Sequence, residues 1–294
     1  MLSKVAIFGS AGQLGMELNQ AFASRGYRVT GFTRENIDIT DGVQVDRLLM
    51  EAAPDVVVNA AAYNMVDVAE QEPRAAYSVN ALAVLHMAKA CRQLDALLVH
   101  FSTDYVFDGA RRSPYVEEDP THPLGAYAVS KLAGEIYANA YLDSPVVIRT
   151  SGVFGPGGLR TARGNFIELM LRLAGDGQPI RVVEDHVASP TYAPALAART
   201  VDLLEGGHRG LFHIGGGAPI SWYDYAQLIF RTAGLSPELR ATNEREYRTA
   251  ARRPHYSALS NAKIEGLGLS PMPPLESAVA EYLRARRMST AHHN

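Results

Sequence analysis

Tyr127 and Lys131 stand four residues apart in Tyr127-Ala-Val-Ser-Lys131, at the start of a predicted helix over 127–141. On a helix that spacing puts a phenol and an ammonium on one face. An isolated phenol titrates near pH 10 and is a poor proton donor at neutral pH (roughly three units away). A neighbouring ammonium favours the phenolate and lowers that value. Such a tuned acid suits carbonyl reduction, because hydride arriving at carbon leaves an alkoxide to be protonated. The plain alternative is a surface helix pair worth roughly a few tenths of a kcal/mol. Upstream, Ser102-Thr103-Asp104-Tyr105 closes a predicted strand, Leu97–Ser102. A hydroxyl at that strand end can hold a substrate carbonyl and complete a triad with the pair. Ser, Thr and Asp also favour turns for their own sake.

Gly9-Ser-Ala-Gly12-Gln13-Leu14-Gly15 supplies what such a reduction lacks, a seat for a hydride-carrying dinucleotide. Its G-x-x-G-x-x-G spacing follows the first predicted strand and opens the first helix. The glycines allow a tight turn, close approach to a pyrophosphate and close helix–strand packing. The helix N-terminus adds free N–H groups and the positive end of its dipole. Cofactor choice is read after the second strand, at Gly31-Phe-Thr-Arg34-Glu35. Arg34 favours the 2′-phosphate of NADPH; Glu35 beside it is the residue type that holds ribose hydroxyls, so NADH stays open. Asp38 is placed near the adenine, while Thr40 or Asp41 caps the helix that follows.

These residues need a scaffold, and the first half provides one. β-branched runs at Val5–Gly9, Tyr27–Phe32, Asp55–Asn59, Leu97–Ser102 and Val146–Arg149 alternate with helical segments at Gln13–Arg25, Val43–Ala53, Ala75–Leu94 and Tyr127–Tyr141. Near-continuous apolar strands alternating with helices predict an α/β fold with a doubly wound, Rossmann-type parallel sheet. The second half is less regular, with helices at Asn165–Ala174, Ala193–Leu204, Ser221–Ala233 and Leu275–Arg286 and strands at Ile180–Val183 and Leu211–Ile214. It reads as a smaller substrate lobe. The expected division is 1–155 for dinucleotide binding and 156–294 mainly for substrate, with a soft boundary near Gly155–Gly164 and a chain that crosses between lobes.

Composition agrees. The 294 residues are 47% hydrophobic and 20% charged, enough for a large core. Net charge is −3, so no general basic field invites nucleic acid or an anionic membrane. The single cysteine, Cys91, excludes an intrachain disulfide and any multi-cysteine zinc site. The first apolar run is too short for a signal-peptide core, no stretch spans a bilayer, and a cytoplasmic location is expected. The tail from Ser289 is expected to fray.

In sum of motifs the chain resembles the dTDP-4-dehydrorhamnose reductase group of the extended short-chain dehydrogenases/reductases. The resemblance runs through Gly9–Gly15, 36–41, 59–70, 79–81, Ser102–Gly109, Pro123–Glu135, 149–155, 164–166, 189–191 and 253–259, almost the whole chain in order. It implies Tyr127 as proton donor, Lys131 as ribose ligand and tuner of the phenol, Thr103 as orienter of a 4-keto group and Asp104 as a substrate contact. It implies Gly12, Gln13 and Leu14 at the pyrophosphate, Asp38 and Ile39 at the adenosine end, and Ala62, Tyr63 and Phe101 beside the cofactor's middle. The implied substrate is a nucleotide-linked 4-keto-6-deoxy sugar and the product dTDP-L-rhamnose. Arg160, Arg163, Arg252 and above all Arg253 are candidates for the diphosphate. Gly152 stands where the family usually carries a substrate-packing Trp, Asn64 where it has Thr, and Ala128 where it has Gly. Another nucleotide-sugar ketoreductase, a 4-epimerase or dehydratase, and a non-catalytic NADP-binding subunit like the methionine adenosyltransferase β subunit share the pattern. Tyr105 follows Thr103-Asp104 where a dehydratase carries Glu. Some relatives use magnesium at a dimer contact; no residue here maps onto it, and monomer and homodimer both stay open. Glu184-Asp185-His186 reads as a loop whose histidine has its hydrogen bonds met, since no further ligand has metal-site spacing. His292-His293 is tail composition.

Overall fold

The computed structural model describes residues 3–162 and 164–291. Its first strand, β1 (Lys4–Phe8), leads into α1 (Gln13–Ser24), and β2 (Arg28–Phe32) into α2 (Gly42–Ala52). Next come β3 (Val56–Asn59), α3 (Val66–Ala69), α4 (Pro73–Tyr77), a π-helical turn over Ser78–Leu82, and α5 (Ala83–Leu94). Then follow β4 (Leu97–Thr103), α6 (Ala126–Tyr141) and β5 (Val146–Thr150). The remainder is α7 (Phe166–Gly175), β6 (Ile180–Val183), β7 (Val187–Ala188), α8 (Ala193–Glu205), β8 (Gly210–His213), β9 (Ile220–Ser221), α9 (Trp222–Ala233), β10 (Leu239–Thr242), α10 (Ala262–Gly266) and α11 (Leu275–Ala291).

Six strands form one parallel sheet in the order β2-β1-β3-β4-β5-β8. The inner strands β1, β3, β4 and β5 are largely buried on both faces because helices cover both, whereas the edge strand β2 is mostly exposed. Val5, Ile7, Val58, Val99 and Ile148 bury against α1 and α8. Ala6, Phe8, Val57, Leu98 and Val147 bury against α2 and α5 on the other face. The strand order reverses between β1 and β3, and doubly wound sheets open a ligand crevice at such a point. Gly9 follows β1 there with φ +76°, and a Cβ on it would lie 2.7 Å from the Ala61 nitrogen.

Local chemistry sets the helix ends. Asp41, not Thr40, caps α2 by accepting from Val43 N (3.0 Å) and Gln44 N (3.2 Å). Asn165 caps α7 and Ser221 caps α9. Short pieces escaped the sequence reading: α3, α10, the antiparallel β7–β9 pair and β10, which pairs with β6. They hold two to five residues each, too few for periodicity to register. Residues 193–214 return to the main sheet, where β8 pairs with β5 and α8 packs on α1. A separate core of Phe154, Ile167, Tyr225, Val279 and Tyr282 joins α7, α9 and α11. Instead of fraying from Ser289, α11 runs to Ala291; residues 292–294 lie outside the described residues. Among the described residues no helix is long and apolar enough to cross a membrane.

The glycine loop has a sharp steric demand at Gly15, where a Cβ would sit 2.1 Å from the Gly9 carbonyl oxygen. Gly15→Ala is therefore expected to cost about 1–3 kcal/mol of stability. Urea unfolding checks this, and an unchanged midpoint contradicts the packing described.

Candidate active site

Helix α6 carries Tyr127, Lys131 and Glu135 on one face. Its N-cap, Gly125, has no side chain to offer, and Glu70 fills the role by accepting from Ala126 N at 2.7 Å. Ser130 donates to the Tyr127 carbonyl (2.7 Å) and accepts from Asn80 Nδ2 (2.9 Å). Asn80 also brackets Tyr63, taking its N–H and donating to its carbonyl, both at 2.9 Å. The π-helical turn that carries Asn80 thus ties the 61–63 loop to α6. Tyr127 lines a small pocket with Val66, Glu70, Tyr105, Arg252 and Pro254. Its ring meets that of Tyr105 edge-on at 6.1 Å.

Lys131 is 3% exposed, and its ammonium donates to the Phe101 carbonyl on β4. Burial pulls its pKa down to about 8, opposed by the charge of Glu135. Glu135 is itself buried and held by Arg149 of β5, with Nη2 to Oε2 at 2.7 Å and Nε to Oε1 at 3.0 Å. Ser102 Oγ also donates to Glu135. The Arg149 guanidinium lies 5.2 Å from the Phe107 ring centre. His100, fully buried beside this group, is held far below its ordinary pKa by burial and by Lys131. His213 is pushed down to about 3 by burial and by Arg149. Both histidines are neutral.

Thr103 and Asp104 end β4 as a hub. Asp104 accepts from Ser257 Oγ (2.5 Å), Ser151 Oγ (2.8 Å) and Thr103 Oγ1 (3.2 Å). Burial lifts its carboxyl pKa to about 6, against the pull of those donors. Both Asp104 oxygens are thus engaged by protein hydroxyls, and the side chain joins β4, the end of β5 and residue 257. Thr103 Oγ1 also accepts from Tyr105 N at 3.2 Å.

The glycine loop fits a dinucleotide. Helix α1 is preceded by Gly12, an N-cap with no side chain to offer, and the Gly12 N–H donates to Gly9 O at 2.9 Å, so the N–H groups of Gln13 and Leu14 are left for a ligand. Gly9, Gly12 and Gly15 leave no Cβ in the cradle. Leu14 is half-buried against the main core. Gln13 differs from the expectation at the side chain, which donates to Val153 O (2.8 Å) and accepts from Asn165 Nδ2 (2.9 Å). Only its backbone can face a pyrophosphate. Beyond β2, Arg34 and Glu35 are exposed, and neither forms an ion pair among the described residues. Asp38 accepts from Thr40 N (2.9 Å) and Thr40 Oγ1 (2.7 Å), forming a turn, while Ile39 packs on the core. Ala62 is half-buried; Tyr63 packs with Ala69 and Ala76 and sends its hydroxyl to Glu72 at 2.7 Å. Phe101 contributes core and its carbonyl.

Arg253 makes a forked pair with Asp67 (3.0 and 2.7 Å) and also hydrogen-bonds Tyr105. It therefore fastens the 249–256 segment to α3 and the pocket wall. Arg252 is exposed at the same pocket; Arg160 borders a different cleft beside Glu17, and Arg163 lies outside the described residues. Gly152 has φ +50°, and a Cβ there would lie 3.3 Å from the Trp222 ring. An indole from α9 thus occupies the space beside the glycine. Sequence reasoning missed Glu70, Asn80, Glu135 and Arg149 as organisers. Only Glu135, one turn past Lys131, left a local signal.

This fold and this constellation define an extended short-chain dehydrogenase/reductase. Residues 3–288 match the family model described as RmlD substrate binding domain. The chain belongs to that family, the dTDP-4-dehydrorhamnose reductases. It is 37% identical over 286 residues to the spore coat polysaccharide biosynthesis protein SpsK of Bacillus subtilis (strain 168), covering 97% of this chain and 98% of that one. It is 35% identical over 301 residues to dTDP-4-dehydrorhamnose reductase of Escherichia coli (strain K12), covering 98% and 99%. The crystal structure of dTDP-4-dehydrorhamnose reductase from Bacillus anthracis str. Ames in complex with NADP superposes with a TM-score of 0.91 at 32% identity, covering 96% and 99%.

Two outcomes follow from the charges. Arg149→Met leaves Glu135 buried with its guanidinium partner gone, at a cost of about 3–5 kcal/mol. Adding Glu135→Leu removes that lone charge, so the double variant is expected to unfold at a higher urea concentration than Arg149→Met alone. An equal or lower midpoint overturns the pairing. Asp104 holds its proton more tightly folded than unfolded, so its contribution to stability is full below about pH 4 and lost as pH rises through about 6. The stability of the natural chain relative to Asp104→Asn should accordingly grow as pH falls across that window. A flat difference in paired urea titrations contradicts the raised pKa.

Proposed function

We propose that this chain reduces the 4-keto group of dTDP-4-dehydrorhamnose to give dTDP-L-rhamnose, using NADPH, with NADH as a weaker donor. The single observation that carries the reading is Lys131, a buried ammonium one helical turn beyond Tyr127 in a chain of this family. The relatives named for this reaction match nearly end to end, which supports the same substrate.

A bound reduced nicotinamide supplies the hydride. The protein's own groups handle the oxygen. Tyr127 gives its hydroxyl proton to the carbonyl oxygen as C4 receives the hydride. The Lys131 ammonium stabilises the phenolate left behind. Thr103 releases its 3.2 Å bond to Asp104 and donates to the keto oxygen instead. Backbone N–H groups at Gln13 and Leu14 bind the pyrophosphate, while that of Gly12 closes the loop on Gly9 O at 2.9 Å. Arg34, exposed and without an ion pair among the described residues, suits a 2′-phosphate. Residues 1–155 serve mainly the cofactor and 156–294 mainly the sugar nucleotide, with 193–214 as a return to the sheet.

Incubation with NADPH and the dTDP-4-keto-6-deoxy sugar is expected to consume nicotinamide absorbance one for one with product. Turnover without net cofactor oxidation would point to an epimerase or dehydratase. Tyr127→Phe should lose at least about 100-fold in kcat, as expected for removing a general acid, while keeping NADPH affinity. A natural chain that binds NADPH yet turns over none of a panel of nucleotide 4-keto sugars would be a binding subunit.

A further inference from the structure

We propose that Asp185, His186 and His255 bind a divalent transition-metal ion of the zinc class, with Glu244 orienting His255. One donor atom from each of the three lies within 4.8 Å of the others. The site is assembled by pairing that no sequence spacing reveals. Val187 N donates to His255 O, and Ser257 N to Val187 O, both at 2.8 Å, so the two histidine-bearing segments run side by side. Glu244, just past β10, is brought in by its own N–H, which donates to Asp185 Oδ2 at 3.1 Å.

A second observation points to a ligand. His186 is 94% buried (6% exposed), and its Nε2 has no hydrogen-bond partner among the described residues. Asp185 Oδ1, in the same cluster, is likewise buried and unpartnered. This corrects the expectation of a loop histidine with its bonds met. Each such atom costs about 1–3 kcal/mol if nothing meets it. A cation accepting both lone pairs removes both costs at once.

His255 completes the set. Its Nε2 lies 3.0 Å from Glu244 Oε2 and its Nδ1 3.9 Å from Asp185 Oδ2. A proton on Nε2 held by Glu244 leaves the Nδ1 lone pair for an ion, the usual way a carboxylate fixes a ligating imidazole. Two imidazoles and a carboxylate suit zinc, nickel or copper and disfavour magnesium or calcium. Bonds of about 2.0–2.1 Å in a tetrahedron put donors about 3.4 Å apart, so the cluster must contract by about an ångström. The His255 side chain is 56% exposed and can make that move. The segment it would clamp also carries Arg253 and Ser257, the partners of Asp67 and Asp104. His255 Nδ1 also lies 3.2 Å from the Asp185 carbonyl, a contact that a bound ion replaces.

The test is equilibrium dialysis of chelator-stripped full-length protein against zinc, with bound metal and melting temperature measured. The natural chain and His292→Ala/His293→Ala, which removes a rival histidine pair, should each hold one zinc per chain and melt higher with it. His255→Gln, altered at an exposed position, should stay folded by circular dichroism, lose affinity by roughly tenfold or more, and gain no thermal shift. Zinc held equally by His255→Gln, lost in His292→Ala/His293→Ala, or absent from the natural chain overturns the site. These readouts do not depend on reductase activity, so they stand or fall apart from the proposed reaction.

Discussion

A buried ammonium is the constraint around which this molecule is arranged. Moving a charge of that size out of water costs several kcal/mol unless dipoles and counter-charges replace the water. Lys131 receives one backbone carbonyl, that of Phe101, and the field of Glu135. Glu135 would itself be costly alone, and Arg149 and Ser102 meet it. The compensation therefore runs from α6 into two adjacent strands, β4 and β5, and fixes the helix against the sheet edge. Glu70 and Asn80 then fix the start of the same helix, where Tyr127 sits. The reach from one lysine on α6 to two strands of the sheet explains why so much polar chemistry lies inside an apolar core.

The second lobe is joined to that edge by two carboxylates. Asp104 gathers hydroxyls from β4, from Ser151 and from Ser257. Asp67 takes the fork of Arg253 and also the N–H of Ala251 (3.0 Å). Both connections end in the 249–257 segment, which has little regular structure of its own. Its order comes from these contacts and from pairing beside β7, so its geometry depends on the state of a few side chains rather than on a ladder.

What the sequence made legible was local. Glycine spacing, a strand before it and a helix after it identify the dinucleotide loop because those three lie within 21 residues, from Lys4 to Ser24. The inner strands of the main sheet read clearly since β1, β3, β4 and β5 are buried on both faces and so are largely apolar. Tyr127 and Lys131 read clearly because a helix turns four residues into one contact. The rest depends on contacts between distant segments. Asp104 looks like a substrate contact in sequence, and only the fold turns Ser151 and Ser257 toward it. Gln13 belongs to a phosphate-binding motif, yet its amide is used to hold Val153 and Asn165. Gly152 reads as a missing aromatic, whereas Trp222 arrives beside it from another helix. His186 and His255 carry no mutual spacing signal, and their adjacency follows from the pairing of residues 187 and 256.

The signs of the buried charges also bear on direction of chemistry. Lys131 and Arg149 are cationic and Glu135 anionic, so this buried trio carries one positive charge, with the Asp104 carboxylate beyond it at the end of β4. In a low-dielectric interior the trio's charge acts over several ångströms. It raises the energy of any further cation and lowers that of an anion formed at the pocket floor. The phenolate that remains after proton donation is such an anion, and it forms just where the compensation is incomplete. If Arg149 alone balanced Glu135, Lys131 would be left uncompensated; if Glu135 were absent, two cations would repel within the core. The observed trio satisfies the carboxylate and leaves the ammonium only partly compensated, one helical turn from the group proposed to change charge during the reaction.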